Sequence, residues 1–260
     1  MRGEHCIAGA SVLTLISVIL LVFANIGQIS PGAVTSGLYM VQVDVSGFGN
    51  AVQSANKKSN NLYWTQNTPL GQSKGLRQYY RYGLYNACGY QKSGGVCNAT
   101  TIGYPFAPFE QMLADTPSQP IDYKKITQDI IPSSTFKNNG WNGSLSRSAS
   151  SLIFVASILT LLAFVFGLIK LRFCFLIAAG CAGLGAFFLM IGAAIWTSII
   201  AKNAWLSIVK VQGGVKLGIV VTPGPALYLT WVSFVLVTIS VAPYVISCCT
   251  YRKPARVAPY

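Results

Sequence analysis

The chain is short of charge. Asp, Glu, Lys and Arg together make up 10% of its 260 residues, six of them acidic, and there is one histidine. Soluble domains carry about 25% charged residues. The missing charges are missing in blocks. Ile7–Ala24 has none, and the uncharged run continues to Val43; Ser148–Ile169, Phe173–Ala201 and Leu217–Tyr251 are three more such runs. Each supplies the roughly 20 apolar residues that a helix needs to cross a hydrocarbon core. This excludes a soluble globular protein and predicts four transmembrane helices, at about 7–26, 149–169, 173–196 and 226–249, in a single tetraspan domain.

The same scarcity narrows function. No Asp, Glu, Lys, Arg or His falls inside any predicted span, whereas pumps, transporters and voltage sensors normally keep ionisable groups there. His5 has no histidine partner for a metal or a triad, and the few acids outside the spans are dispersed. No catalytic constellation, metal site or cofactor is expected, and the chain reads as a non-enzyme.

The first apolar block follows Arg2, as a signal peptide would. It is longer than the usual 7–15 apolar residues and lacks a small-x-small cleavage site, so it reads as a retained helix. Four spans put both termini on one side. The short segments of that side carry Arg2, Lys170, Arg172, Arg252, Lys253 and Arg256 against Glu4. The positive-inside rule makes that side cytoplasmic. Residues 27–147 and 197–225 are then extracellular loops. Lys202, Lys210 and Lys216 in the shorter loop weigh mildly the other way. The formal net charge of +13 divides between the cytoplasmic rim, which suits anionic lipid, and the loops. Nucleic acid is not an expected partner.

The loops show β patterning. "SGLYMVQVDVSGFGN" reads as a strand followed by a turn; "LYWT" (Leu62–Thr65), "QYYRYGLYNAC" (Gln78–Cys88) and "VKLGIVVT" (Val215–Thr222) are further candidate strands. "WLSIVKVQ" (Trp205–Gln212) suits strand or helix. These predict one small sheet shared by both loops. Five prolines between residues 105 and 140 predict loop with short helical turns.

Cys88 and Cys97 are the only cysteines of the two loops. An oxidising exterior predicts a disulfide between them; the competing readings are free thiols or a metal pair without histidine partners. Gly89, Gly94 and Gly95 read as the freedom of the enclosed turn. Asn98-Ala99-Thr100 and Asn142-Gly143-Ser144 are N-glycan acceptor motifs. Within the third span, Ala179 with Gly183, Cys181 with Gly185 and Ala182 with Ala186 are small residues four apart, a spacing that lets helices approach closely. Pro243 predicts a kink in the fourth span. Cys248 and Cys249 precede Tyr251-Arg252-Lys253, a setting that suits either S-palmitoylation or plain small apolar residues.

The order of these parts, with "LYMVQVDVSGF" after the first span and "YGLYNACGY…C" in the long loop, resembles the claudin-like tetraspan superfamily. Within it the chain resembles the fungal cortical-patch (Sur-type, eisosome-associated) and PalI-type membrane proteins. Gly83 and Leu84 match the claudin Gly-Leu-Trp motif, Tyr85 replaces its tryptophan, and Cys88 and Cys97 take the places of its two cysteines. The resemblance implies a four-helix bundle with a small extracellular antiparallel sheet in a fungal plasma membrane, at the cell cortex. It also implies a scaffold, membrane-domain organiser or accessory subunit linked to wall or polarised growth. Partners would be lipids and other integral membrane proteins, or further copies of the chain. The alternative is a sensor or receptor component for ambient pH or mating signals; a channel is a third reading. The tyrosine weakens the paracellular-junction function of claudins, and the short tail after Cys249 weakens the sensor.

Overall fold

The computed structural model describes residues 3–56, 62–63, 68–91, 94–117, 122–169 and 171–250. Four helices are long and apolar enough to cross a membrane, over Ile7–Ile26, Asn139–Leu168, Phe173–Ile208 and Pro225–Ile246. They belong to α1 (Gly3–Ile26), α5 (Asn139–Leu168), α6 (Arg172–Ala204) and α7 (Pro225–Thr250); three short helices, α2 (Phe48–Asn56), α3 (Pro108–Asp115) and α4 (Tyr123–Ile130), lie between the first two. Five strands, β1 (Val41–Asp44), β2 (Tyr79–Tyr82), β3 (Ala87–Gln91), β4 (Gly94–Cys97) and β5 (Val220–Pro223), form one antiparallel sheet in the order β4-β3-β2-β1-β5. The fold is a four-span membrane protein with a small antiparallel sheet.

The chain divides into two compact units. The first falls within Met1–Phe23, Leu152–Ala193 and Leu229–Tyr260, and its described residues are almost all helical. Its interior is made of small and hydroxylated side chains at helical spacing: Ala10, Thr14, Ser17 and Leu21 on α1, Ala156, Thr160 and Ala163 on α5, Ala178, Ala182 and Ala186 on α6, and Thr230, Ser233, Val237 and Ser240 on α7. Hydrocarbon provides no hydrophobic drive between helices, so close backbone approach and hydrogen bonds must hold them. Gly167 shows this. A Cβ there would come within 2.5 Å of the Tyr244 hydroxyl, which sits 3.1 Å from Thr14 Oγ1. Such a bond contributes about 0.6 kcal/mol between helices. The opposite faces carry Val12, Ile16, Ile19, Leu184, Phe187, Val232 and Ile239, all exposed, as lipid contact requires. Pro243 lies inside the continuous α7.

The second unit is Ala24–Ser151 with Ala194–Tyr228. Alternation along the strands builds its core. Val41, Val43, Tyr80, Tyr82 and Val221 point to one face and are buried, as the two-residue period demands. Gln42, Arg81, Cys88 and Cys97 form one row of the other face; Asp44, Tyr79, Tyr90 and Gly95 form the next.

Several expectations change in the details. "SGFGN" does not end in a turn alone, because Phe48 opens α2 with its ring fully buried. Gln78–Cys88 is a hairpin rather than one strand, broken at Gly83. Val215–Thr222 joins the sheet only in its last part, as β5, while Lys216 makes a separate antiparallel bridge to Lys210, and residues 205–208 form a 3-10 turn. Tyr63 makes a single bridge to Leu76, and buried Leu62 accepts from the Leu76 N–H at 2.8 Å; Trp64 and Thr65 of the expected strand lie outside the described residues. Residues 105–140 hold α3, α4 and a 3-10 turn at Thr135–Lys137. The two central helices outrun their expected spans: α5 starts at Asn139 and α6 reaches Ala204. The reason is a polar pairing above the apolar windows. Buried Asn203 donates to Asn142 Oδ1 at 3.3 Å and to the Ile199 carbonyl at 2.8 Å.

Candidate functional site

Cys88 and Cys97 face each other across β3 and β4 and are joined by a disulfide. The glycines around them serve close packing. Gly89 lies inside β3, where a Cβ would come within 2.5 Å of the Arg77 side chain, and Gly95 carries the Tyr90 ring at 2.4 Å from its missing Cβ. The expected role as turn freedom is therefore corrected for Gly89 and Gly95, each crossed by a side chain, and holds for Gly94, whose φ is 139°.

The outer face around the disulfide is aromatic and positively charged. The Arg81 guanidinium lies 4.5 Å, 4.9 Å and 5.2 Å from the ring centres of Tyr39, Tyr79 and Tyr90. Its Nε donates to Gln42 Oε1 at 2.9 Å and its Nη1 to the Ser36 carbonyl at 2.7 Å. Tyr79 and Tyr90 stack at 5.4 Å. Each cation–π contact adds about 0.5–2 kcal/mol, depending on desolvation. Burial pushes the Tyr90 hydroxyl up to about 12, against the lowering effect of Arg81.

Gln28 closes this face, and nothing in the sequence singled it out. It is fully buried and has a left-handed backbone, with φ of 60°. Its Nε2 donates to the carbonyls of Thr35 at 2.9 Å, Ser36 at 2.9 Å and Leu38 at 3.0 Å, while its Oε1 accepts from the Tyr90 hydroxyl at 2.8 Å. Its own carbonyl oxygen lies 3.3 Å from Cys88 Sγ. One side chain thus pins residues 28–38 over the disulfide row.

The Gly83-Leu84-Tyr85 turn joins β2 to β3 and packs on the C-terminal end of α1. Leu84 is fully buried, and the Tyr85 hydroxyl donates to Asn25 Oδ1. Burial pushes that hydroxyl up to about 12. A Cβ on Gly83 would sit 2.4 Å from the Gly27 carbonyl oxygen. The obstacle is backbone, so no rotamer relieves it. Gly83→Ala is expected to cost about 1–3 kcal/mol, as overpacking does, and to lower the thermal midpoint of the purified protein. An unchanged midpoint would contradict the contact.

Below the sheet, Asp115 at the end of α3 anchors residues 68–77. Its carboxylate accepts from the Tyr80 hydroxyl at 2.7 Å and from the Gly71 N–H, and more weakly from Gln111 Nε2 at 3.4 Å. Arg77 is buried beside it and donates to Thr68. Burial raises the Asp115 carboxyl above its ordinary value, although those hydrogen bonds and Arg77 pull it down; burial and Asp115 together raise Tyr80 well above its own. A folded pKa above the unfolded one means that the folded state holds the proton more tightly. The associated stability is full below the unfolded value of about 3.9 and is lost as pH rises through the raised value. Asp115→Asn is expected to keep the fold and remove this decline. Thermal midpoints from pH 4 to pH 8 check it; parallel curves for the two proteins would contradict it.

The remaining expected residues fall apart from one another. Asn98 is half-buried, its Nδ2 donating to the Tyr104 hydroxyl at 2.6 Å and to Gln111 Oε1 at 2.9 Å. A glycan there replaces one of the two amide hydrogens, so at least one of these bonds must be given up. Asn142 is corrected as an acceptor: it is fully buried, its Nδ2 donates to the Thr135 carbonyl at 2.6 Å, and the folded chain has no room for a sugar on it. On α6, Ala179 and Gly185 lie on the packed face, Gly185 with its missing Cβ 3.2 Å from Thr160 Oγ1. Gly183 meets nothing within 4 Å and Cys181 is a half-exposed free thiol, so the two expected pairs do not form one packing face inside the chain. Residues 179 and 183 lie about 40° apart around the helix, as do 181 and 185, but the two pairs point in nearly opposite directions; the buried face runs through Ala178, Ala179, Ala182, Gly185, Ala186 and Leu189. Cys248 and Cys249 fall in the last turn of α7, and their side chains lie outside the described residues.

The described residues hold no cluster of three or more His, Cys, Asp or Glu able to bind a metal. What they do hold is a disulfide-closed sheet, clamped on its outer face by Gln28 and Arg81. A search of curated proteins returns no match. A family model, that of the SUR7/PalI family, matches residues 6–243, a range that takes in the first three spans, the whole sheet and most of the fourth span, and the chain belongs to that family.

Proposed function

We propose that this chain is a non-enzymatic organiser of its membrane, acting as a scaffold or as an accessory subunit of a larger membrane complex at the plasma membrane. On this reading both termini are cytoplasmic and the sheet faces outward. Its membership of the SUR7/PalI family carries the proposal, in a chain whose apolar stretches 7–26, 149–169, 173–196 and 226–249 contain no Asp, Glu, Lys, Arg or His. The buried hydroxyls of the helical unit form short local bonds, such as Thr160 Oγ1 to the Ala156 carbonyl at 2.8 Å. Exposed apolar side chains on all four long helices leave lateral faces for lipid or for another protein's helix.

The test is purification of the native chain in mild detergent, followed by identification of what co-purifies in stoichiometric amount. A defined membrane partner or a homo-oligomer supports the proposal. A monomer whose only partner is a soluble protein lost on deletion of the residues after Cys249 favours the sensor reading instead.

A further inference from the structure

β4 is a terminal strand of the sheet, with β3 on one side and no strand on the other. Pairing decides which backbone groups face the open side. The Asn98 N–H donates to the Ala87 carbonyl at 2.9 Å, and the register sets Val96 opposite Gly89 and Gly94 opposite Gln91. An antiparallel ladder alternates hydrogen-bonded and non-hydrogen-bonded pairs. Residues 94, 96 and 98 therefore turn their N–H and C=O groups toward β3, and Gly95 and Cys97 turn theirs away. No described residue pairs with those outward groups. Gly95 has no side chain, so the surface it keeps accessible is backbone, and Gly94 before it is exposed.

The two edges of the sheet differ. Gly94–Cys97 holds no proline and no charge, the residues that usually blunt an edge strand. β5, at the other edge, ends in Pro223 and lies against the 3-10 turn at 205–208. β4 is also fixed in place by its disulfide to β3, so little order has to be gained when it pairs.

A second β4 completes this edge. Outward groups at 95 and 97 are symmetric about 96, and a two-fold interface requires a patch that complements itself. With an antiparallel pairing about Val96, Gly95 meets the other copy's Cys97 and Cys97 meets the other copy's Gly95. Each such pair exchanges both hydrogen bonds, so every outward group of both copies is used. Val96, half-buried in the single chain, then stands opposite its own counterpart in a non-hydrogen-bonded pair, where side chains come closest. Gly94 stands opposite Asn98 and leaves it room. No like charges oppose each other across Gly94–Asn98.

We propose that β4 is a docking edge for a second copy of this chain, joined β4 to β4 in antiparallel register about Val96 into one continuous sheet. Such a pair gives the organiser reading its partner, and rests on that reading.

The test uses the full chain in mild detergent over a concentration series, with sedimentation for mass and hydrogen exchange resolved to single amides. The expected result is a monomer–dimer equilibrium in which the dimer slows exchange at the Gly95 and Cys97 amides about tenfold or more, while Val96, already paired with β3, changes little. Val96→Lys puts like charges opposite each other on the two-fold axis and should weaken dimerisation about tenfold; Val96→Glu should do the same, and a mixture of the two should restore it. The exchange pattern of the wild type holds as a test even where neither variant folds. A monomer throughout overturns the proposal, as does a dimer whose Gly95 and Cys97 amides exchange as in the monomer. It is also overturned if a different co-purifying protein supplies the protection, or if folded Val96→Lys dimerises as the wild type does. An edge left free while a defined membrane partner co-purifies would sink this pairing and leave the organiser reading standing.

Discussion

Gln28→Ala is expected to free residues 29–38 from the sheet and to lower the stability of the sheet unit by about 2–6 kcal/mol. The estimate follows from what the side chain leaves behind. The Thr35 carbonyl keeps the Gln28 and Leu38 N–H groups, and the Ser36 carbonyl keeps Arg81. The Leu38 carbonyl and the Tyr90 hydroxyl lose the partners they have in the fold. Two stranded buried groups cost about 1–3 kcal/mol each. In a unit of this size that lowers the thermal midpoint by about 4–24 °C, at roughly 2–4 °C per kcal/mol. Gln28→Gly separates two causes. It loses the same hydrogen bonds but relieves the left-handed backbone, so it should be the more stable of the two variants. Limited proteolysis within residues 29–38, alongside thermal unfolding, reads both. A Gln28→Ala protein with the wild-type midpoint and an uncut strap would remove Gln28 from its assigned place.

Cys88→Ser is expected to impair folding and delivery to the membrane, not a chemical step. Cys88 is fully buried and bonded to Cys97 nine residues on. Loss of such a crosslink typically costs about 2–5 kcal/mol in small domains. Here it also opens the hairpin edge beside the Gln28 strap, since Cys88 Sγ lies 3.3 Å from the Gln28 carbonyl. The two substitutions share a contact, so their costs should not add. Maleimide labelling of Cys97 together with surface quantification tests this. A labelled Cys97 in a protein at normal surface level and with a normal midpoint would show that the bond is dispensable.

The legibility of this chain follows the range of the forces involved. Whether an 18-residue window partitions into hydrocarbon is a local property, additive along the helix, and so the four spans could be read directly from Ile7, Ser148, Phe173 and Ala226 onward. Alternation in "MVQVDV" and "YYRY" is also local, and β1 and β2 lie there. The family resemblance could be read from the Gly-Leu-Tyr turn and the two cysteines beyond it.

Other features were closed to inspection because they depend on partners distant in sequence. Gln28 looks like an ordinary polar residue after an apolar run; it matters because Tyr90, sixty-two residues away, reaches it. Asn142 reads as an open glycan acceptor until Asn203 buries it. The stripe of small residues on α6 names no packing face until the neighbouring helices choose one. Helix breaks in the loops were misplaced for the same reason: the pairing of β5 with β1, across more than 170 residues, decides which part of Val215–Thr222 is extended.

Hydropathy and residue spacing, acting over one helix or one strand, were enough to make this a four-span chain with a small sheet between its apolar runs. The clamp at Gln28, the aromatic seat of Arg81 and the buried Tyr80–Asp115 contact came only with the folded arrangement. Each is a contact between segments far apart in the chain, and its energy exists only once those segments meet.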